Sequence, residues 1–266
     1  MEHAAPYPLD WGKGSIAYFT RRAPNRLIVF VHGFSGGATS TWRGMERMLT
    51  MNHGGVSNAD VVFYGYNSTR SHAMLSAGLL RKFLDEAAAY RPAWARLIHP
   101  LIGRGKIAPY DEVVLVAHSL GAPVCRRALL DAIADGASWP SRATLILFAP
   151  AHLGARLIDL RRELAGGFKT LIANLFTAGR VRMPVLDDLT PGSTFLNDLL
   201  ADTQQLLNDG WGAPLRADEV IFGEQENVVV LGRFGSDPAL FTSWPGQGHS
   251  SICRCANTIP AILAHL

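Results

Sequence analysis

Ser119 stands at the point where a strand is predicted to give way to a helix. The continuous apolar run at residues 113–116 predicts a buried strand, and helical spacing follows over residues 122–134. Ala117 and Gly121 lie two positions before and two positions after the serine. Small residues are needed there because the two arms of a sharp strand-to-helix turn nearly touch. The pattern predicts that Ser119 is a nucleophile raised above the sheet edge; the alternative is an ordinary Ser-Gly turn that begins a helix.

A histidine-glycine turn follows a second apolar run and could supply hydrogen-bond donors to the same reaction. Residues 27–31 predict a strand buried on both faces, and residues 32–37 read His-Gly-Phe-Ser-Gly-Gly. Acyl transfer places negative charge on a carbonyl oxygen, which preorganised N–H groups stabilise. We expect the backbone N–H groups of Phe34 and Leu120 to form this oxyanion hole, Leu120 because it also begins a helix. Gly33 lets the backbone approach a substrate closely.

His249 is the predicted general base. It lies in the glycine-flanked loop 245–251, after the last predicted strand and before the last predicted helix. An unperturbed imidazole titrates near pH 6.5, so it can take and return a proton at neutral pH. Three other histidines compete: His32 is expected to hold its loop by hydrogen bonds, His118 to point away from the nucleophile, and His152 to line the site. The expected lining of the substrate pocket comprises one glycine and three histidines: Gly33, His32, His118 and His152.

The carboxylate that should orient the base is expected after the predicted strand 219–222. When the serine lies at a strand-to-helix turn of this kind, the nucleophile comes first along the chain, the acid second and the histidine last. Glu226, three residues after Gly223, is the first candidate. Glu224 in the same turn is the second. Asp237 is the third, and its alternative role is to stabilise a turn or cap a helix.

Strands and helices alternate along the chain, which predicts an α/β fold with a mostly parallel central sheet and helices on both faces. The predicted strands are residues 15–20, as an edge strand, 27–31, 60–64, 113–116, 144–148 and 219–222. The predicted helices are residues 38–51, 72–90, 122–134 and 257–266. No internal repeat or linker divides the chain, so residues 1–266 are expected to form a single domain.

Two longer segments interrupt this alternation. Residues 151–214 carry helical patterns at 157–165, 168–176 and 194–207, and they are expected to form a helical cap over the site. Residues 91–109 mix apolar and basic side chains. They are either an excursion packed on the domain or a lip that makes transient contact with a membrane or a lipid substrate.

The composition argues against several classes of protein. The chain has 266 residues, a formal net charge of +3 and 48% hydrophobic residues, which argues against nucleic-acid binding and against disorder. No apolar run reaches membrane-spanning length, and the first 14 residues lack a signal-peptide core. The arginine pairs 21–22, 126–127 and 161–162 are scattered, as expected of solvated surface. The three cysteines form no disulfide framework, which favours a reducing, cytoplasmic compartment.

Six short motifs lie between residues 32 and 254, and the resemblance that they carry covers most of the chain from about residue 24 to its end. They are His32-Gly33-Phe34, Tyr64-Gly65-Tyr66-Asn67-Ser68, Ala117-His118-Ser119-Leu120-Gly121-Ala122, Ala149-Pro150-Ala151-His152-Leu153-Gly154, Leu189-Thr190-Pro191-Gly192-Ser193-Thr194-Phe195-Leu196 and His249-Ser250-Ser251-Ile252-Cys253-Arg254. Together they resemble the α/β-hydrolase superfamily, in the lipase-like serine esterase branch that includes the GPI-inositol deacylase-like proteins. The resemblance implies hydrolysis of carboxylic esters, often acyl-lipid ones. It carries Ser119 and His249 over directly but not the acid, because this turn lacks the usual Asp.

Two other kinds of function stay open on the sequence. One is a catalytically inactive hydrolase fold used for binding, and the other is a thioesterase, amidase or acyltransferase that uses the same triad. Acyl transfer through a covalent serine intermediate takes two steps and requires no cofactor and no metal ion. The His, Cys and Asp residues show no metal-ligand spacing. The expected partner is a small-molecule or lipid ester, with no nucleic acid and no predicted oligomeric state.

Overall fold

The computed structural model describes residues 3–51, 54–89, 94, 97, 109–156, 158–160, 183–238 and 241–266. In these residues one sheet contains the strands β1 Tyr7–Leu9, β2 Ser15–Tyr18, β3 Arg26–Val31, β4 Ala59–Tyr64, β5 Glu112–His118, β6 Ala143–Phe148, β7 Glu219–Gly223 and β8 Thr242–Trp244. Their order across the sheet is β1-β2-β4-β3-β5-β6-β7-β8. β2 pairs antiparallel with β1 and β4, whereas every pairing from β4 to β8 is parallel. This arrangement confirms the predicted fold class.

The central strands are apolar on both faces, which explains their place in the middle of the sheet. In β3, Leu27, Val29 and Val31 belong to one core cluster, whereas Ile28 and Phe30 belong to the other. Continuous apolar runs of this kind are typical of parallel strands covered on both sides. The two clusters therefore form the layers above and below the sheet.

Helices supply the covering layers. They are α1 Gly54–Ser57, α2 Ala73–Ala87, α3 Gly121–Ala134, α4 Pro184–Leu189, α5 Thr194–Asn208, α6 Gly212–Leu215 and α7 Thr258–Leu263, with 3₁₀ helices at Met45–Thr50 and Pro140–Arg142. The buried apolar residues of α2 and most of those of α3 belong to the first cluster, and those of α7 and the first 3₁₀ helix belong to the second. Leu130 and Ile133 of α3 belong to a third, smaller cluster with residues of α5 and α6. The helix that follows Ser119 therefore packs directly on the sheet.

Some elements differ from the sequence predictions. The expected helix 38–51 is a series of turns that ends in a 3₁₀ helix, because Gly44 has a φ of 90° in the left-handed region. The expected edge strand 15–20 ends at Tyr18 and is not at the edge, since β1 pairs outside it. β1 and β8 were not predicted; each has three residues, too few for alternation to be recognised.

Part of the predicted cap lies outside the described residues. Residues 158–160 are helical and the predicted helix 194–207 corresponds to α5, whereas residues 161–182 are not described. The predicted helix 168–176 and nearly all of the segment 91–109 also lie outside. No described helix is long and apolar enough to cross a membrane.

The candidate site residues lie at one edge of the sheet. The loops that follow β3, β5, β6, β7 and β8 all leave the carboxyl ends of parallel strands. Ligands bind at this edge in open α/β sheets. Phe34, Ser119, His152, Glu226 and His249 each belong to one of these loops.

Candidate functional site

Ser119 occupies a strained turn between β5 and α3. Its φ is 52°, in the left-handed region that residues with side chains seldom adopt. Its N–H donates to the carbonyl of Phe148 over 3.0 Å, and its carbonyl accepts the N–H of Ala151 over 3.2 Å. A side chain on Gly121 would overlap the carbonyl oxygen of Val31. The small residue expected after the serine is therefore required by the neighbouring strand.

The loop after β3 lies directly against this turn. The N–H of Gly36 donates to the carbonyl of Gly33 over 3.1 Å and closes a turn in which Ser35 has a φ of 54°. A Cβ added to Gly33 would lie 2.7 Å from the Cβ of Ser119, closer than side chains approach each other. The missing side chain at Gly33 therefore lets the loop reach the serine.

The backbone N–H groups of two buried residues beside these turns have no acceptor among the described residues. They belong to Phe34 and Leu120, which are 8% and 0% exposed. Leu120 immediately precedes α3, so its N–H is one of the unpaired donors at the positive end of a helix dipole. Unpaired donors in such a place can bind an anionic oxygen.

The imidazole of His249 bridges Ser119 and a carboxylate. Its Nε2 lies 3.0 Å from Ser119 Oγ, and its Nδ1 lies 2.9 Å from Oε2 of Glu226. His249 is 5% exposed and the Glu226 side chain is fully buried. With the Nδ1 proton facing the carboxylate, Nε2 is the acceptor for the serine hydroxyl. Groups in this order can pass a proton from hydroxyl to imidazole while the carboxylate stabilises the cation.

The carboxylate of Glu226 is held by its own turn. Its Oε1 accepts the backbone N–H groups of Val228 over 2.8 Å and Val229 over 3.0 Å. Burial acts to raise the pKa of this carboxyl, but the hydrogen bond and charge of His249, with the two N–H groups, lower the pKa below its ordinary value. Glu226 is therefore ionised at neutral pH.

The other two candidate carboxylates have different partners. At an exposed position, Oε2 of Glu224 accepts the N–H of Gly246 over 3.1 Å. Asp237 is buried, and its oxygens lie 2.8 and 2.7 Å from Nη2 of Arg126. Of the three carboxylates, the structure brings Glu226 to His249 and places the others elsewhere.

His32 holds the loop after β3. Its Nδ1–H donates to the carbonyl of Gly33 over 2.8 Å, and its Nε2 accepts the N–H of Tyr66 over 3.3 Å. The Tyr66 hydroxyl donates to the carbonyl of His32 over 2.8 Å, and the two rings stack with centroids 4.5 Å apart. Both nitrogens of His32 thus have partners within the loop scaffold.

His118 contacts the loop that carries His249. Its Nε2 lies 2.9 Å from the carbonyl oxygen of His249, and the two ring centroids are 4.8 Å apart. Burial, followed by the charge of His249, lowers the pKa of His118 well below its ordinary value. His118 is therefore neutral, and its Nε2–H is the donor to that carbonyl.

His152 belongs to a buried ionic cluster beside the site. Nε of Arg126 donates to Nε2 of His152 over 3.2 Å, and Nη1 of the same side chain donates to the carbonyl of Leu215. The ring of Phe234 stacks on His152 with centroids 4.5 Å apart and lies 4.9 Å from the guanidinium carbon. Burial and then the charge of Arg126 lower the pKa of His152 well below its usual value. His152 is therefore a neutral acceptor within this cluster.

The burial of Arg126 corrects the expectation that the pair 126–127 is solvated surface. Arg126 is 0% exposed, and Arg127 is buried and pairs with Asp131. The sequence analysis did not predict that Arg126 is buried, although the sequence contains a signal for it. Arg126 lies four residues after Ala122 and four before Leu130, both buried, so helical spacing places it on the buried face. Tyr66, which supports His32, was missed too; no sequence pattern assigns that contact.

No group of three or more His, Cys, Asp or Glu side chains that could hold a metal ion occurs in the part of the chain that the structure describes.

Comparison with solved structures identifies the fold. No protein-family model matches the chain, and no curated protein matches its sequence significantly. The mature form of lipase BlEst2 from Bacillus licheniformis matches with a TM-score of 0.57 at 17% identity, over 94% of this chain and 97% of that one. Peroxisomal α/β-hydrolase Lpx1 from Saccharomyces cerevisiae matches with a TM-score of 0.54 at 14% identity, over 94% and 80% of the two chains. Carboxyl esterase 2 from Tuber melanosporum matches with a TM-score of 0.54 at 15% identity, over 99% and 83%. This similarity, with the strand, turn and helix around Ser119, shows that the chain has the α/β-hydrolase fold.

Proposed function

We propose that this protein hydrolyses carboxylic esters, with Ser119 as nucleophile, His249 as general base and Glu226 as the acid that orients it. The observation that carries the proposal is the hydrogen-bonded chain of these three groups, with distances of 3.0 and 2.9 Å. The unpaired N–H groups of Phe34 and Leu120 support it, because acyl transfer needs donors beside the nucleophile. The lipase and the esterase among the structural neighbours favour the same reaction.

The reaction follows from the position of each proton. His249 takes the proton of Ser119 as Oγ attacks the ester carbonyl carbon, and the N–H groups of Phe34 and Leu120 bind the oxyanion. The bond to the alcohol breaks, and the leaving oxygen takes the proton from His249. Water then attacks the acyl-enzyme with His249 again as base, which releases the carboxylic acid and restores the serine. Throughout, Glu226 stabilises the imidazolium.

We propose esters with medium-length or lipid-like acyl chains as the substrate class. The resemblance to lipase-like serine esterases favours this class, as does the expected cap at residues 151–214, whose apolar helical faces would enclose an acyl chain. Each buried methylene contributes about 0.8 kcal/mol, roughly fourfold in binding. kcat/KM should therefore rise from acetate to octanoate until the pocket is filled.

We also propose a cytoplasmic location. The three cysteines are free thiols, with Cys125 and Cys253 buried. Unpaired thiols in a chain of this kind are typical of a reducing compartment.

The test is hydrolysis of a p-nitrophenyl ester series from acetate to decanoate by the wild type and by Ser119→Ala. We expect turnover by the wild type, a rate that rises with acyl length, and loss of turnover in the variant despite an unchanged circular dichroism spectrum. Equal turnover by both proteins refutes the nucleophile, and no turnover by either favours a binding protein. Addition of a thioester, an anilide or an alcohol acceptor distinguishes a thioesterase, an amidase or an acyltransferase by its product.

A further inference from the structure

Two adjacent residues at the end of β5 reach the same residue of the loop 245–251. The hydroxyl of Ser119 meets Nε2 of the His249 imidazole over 3.0 Å, and Nε2–H of His118 donates to the backbone carbonyl of His249 over 2.9 Å. One contact therefore meets the side chain of His249 and the other meets its main chain. Two contacts of this kind restrict both the position and the orientation of an imidazole.

The loop that carries His249 needs such an anchor. It contains Gly246, with a φ of 66°, and Gly248, and glycine gives a backbone unusual freedom. The other hydrogen bonds of the loop join it to its own residues, to residues next to it in the chain or to the turn after β7; one of them is Gly248 N–H to Ser251 Oγ over 3.0 Å. Among the described residues, the bond from His118 is the one that ties the backbone of His249 to the turn between β5 and α3.

The surroundings of His118 hold its ring in place. The ring packs beside the imidazole of His249, with centroids 4.8 Å apart, and has the indole of Trp42 edge-on to it, with centroids 6.4 Å apart. A Cβ on Gly33 would lie 3.0 Å from its Nδ1, so the loop after β3 closes another side. Because burial lowers the pKa of His118, the ring carries one N–H and adds no positive charge beside His249 when His249 is protonated.

We propose that His118 is a positioning residue for the reaction: its N–H fixes the backbone of His249 so that the imidazole stays aligned with Ser119 Oγ. This role differs from the pocket lining that the sequence suggested, and it rests on the function proposed above. Loss of the His118 N–H donor should slow the chemical step, because alignment of base and nucleophile governs proton transfer rather than substrate binding.

A pair of substitutions separates positioning from packing. His118→Gln keeps an N–H donor at nearly the distance of Nε2 from the backbone, but it loses the ring. His118→Phe keeps a ring of similar size but has no donor. A packing role predicts that phenylalanine is the better replacement, whereas a positioning role predicts that glutamine is.

The measurements are kcat and KM with p-nitrophenyl butyrate, the rate of Ser119 phosphonylation by a fluorophosphonate, and the melting temperature. We expect kcat of His118→Phe to fall about 10- to 100-fold, with phosphonylation slowed in proportion and KM changed less than about twofold. His118→Gln should lose less than about threefold in both rates. His118→Met, which has a flexible side chain and no donor, should behave like phenylalanine and replaces it if His118→Phe does not fold.

Rates for His118→Phe or His118→Met that equal or exceed those of His118→Gln overturn the proposal, as does a change confined to KM. The proposed function and this inference fail in different ways. A folded wild type that neither turns over ester nor reacts with the fluorophosphonate refutes both. A reactive wild type with unaltered donor-free variants refutes only the positioning role.

Discussion

Replacement of Glu226 by glutamine removes one oxygen from a carboxylate that uses both. Oε1 accepts the N–H groups of Val228 and Val229, and Oε2 faces Nδ1 of His249 at 2.9 Å. A glutamine side chain offers one oxygen and one NH₂ group. If the oxygen takes the place of Oε1, the NH₂ group faces Nδ1 of His249. In the opposite orientation the NH₂ group meets two backbone donors.

The first orientation is favoured, because each backbone donor left unpaired costs about 1–3 kcal/mol. His249 must then accept at Nδ1 and carry its proton on Nε2, where it cannot take the proton of Ser119. In a serine protease the corresponding substitution lowers kcat by about 10⁴, equivalent to roughly 5 kcal/mol of transition-state stabilisation. We expect a loss of that size in Glu226→Gln.

The assay is kcat for a p-nitrophenyl ester, with the melting temperature as a measure of folding. Glu224→Gln is the matched control, since Glu224 lies two residues earlier in the same turn, is exposed and contacts Gly246. The control should stay within about twofold of the wild type. A folded Glu226→Gln that retains more than about a tenth of the wild-type kcat, or a control that loses as much, would refute the reasoning.

Three further predictions concern the loop, the buried ion pair and the buried histidines. Gly33→Ala would place a Cβ 2.7 Å from that of Ser119, so the loop must shift and kcat should fall about 100-fold; an unchanged kcat contradicts the close approach. Arg126→Met leaves the buried carboxylate of Asp237 unpaired and should lower the free energy of unfolding in urea by about 3–5 kcal/mol. Arg126→Met/Asp237→Leu should be more stable than the single variant, and the reverse order contradicts the ion pair. Because the pKa values of His118 and His152 are lowered in the folded state, only the unfolded chain protonates them below about pH 6.5. The free energy of unfolding should therefore decrease as the pH is lowered below about 6.5, by up to about 1.4 kcal/mol per pH unit for each histidine. Replacement of both histidines by glutamine should flatten the pH dependence of this free energy, measured by urea denaturation at pH values from 7.5 to 5.5. An unaltered slope would contradict the lowered pKa values.

The fold class and the strand-to-helix turn at Ser119 could be predicted because their signals are local in the sequence. An apolar strand, two small residues and a helical pattern surround Ser119 within about twenty positions. The sequence pattern predicts only that residue 121 is small. The structure shows why, since a side chain at Gly121 would overlap the nearby strand β3. The chain order of strands then places the His249 loop at the same edge of the sheet.

The partner of His249 could be ranked but not chosen from the sequence. Glu224 and Glu226 lie in one turn, and the direction of each side chain depends on backbone hydrogen bonds within it. The N–H groups of Val228 and Val229 hold Glu226 inward, whereas Glu224 meets the N–H of Gly246 at the surface.

The burial of a charge could not be judged from neighbouring residues alone. Arg126 looks like half of a surface pair in the sequence, yet its carboxylate partner Asp237 is 111 residues away. A buried arginine is tolerated when such a partner and further acceptors surround it.

The left-handed φ of Gly44 interrupts a helical pattern that the side chains alone would continue.

The most direct test of the account is the site of covalent modification by a fluorophosphonate, mapped by mass spectrometry of the digested wild-type protein. We expect one adduct per chain, on Ser119, no adduct in Ser119→Ala, and slow formation in Glu226→Gln. A folded wild type with no adduct, or with its adduct on another serine, would contradict the claim that the hydroxyl hydrogen-bonded to His249 is the nucleophile.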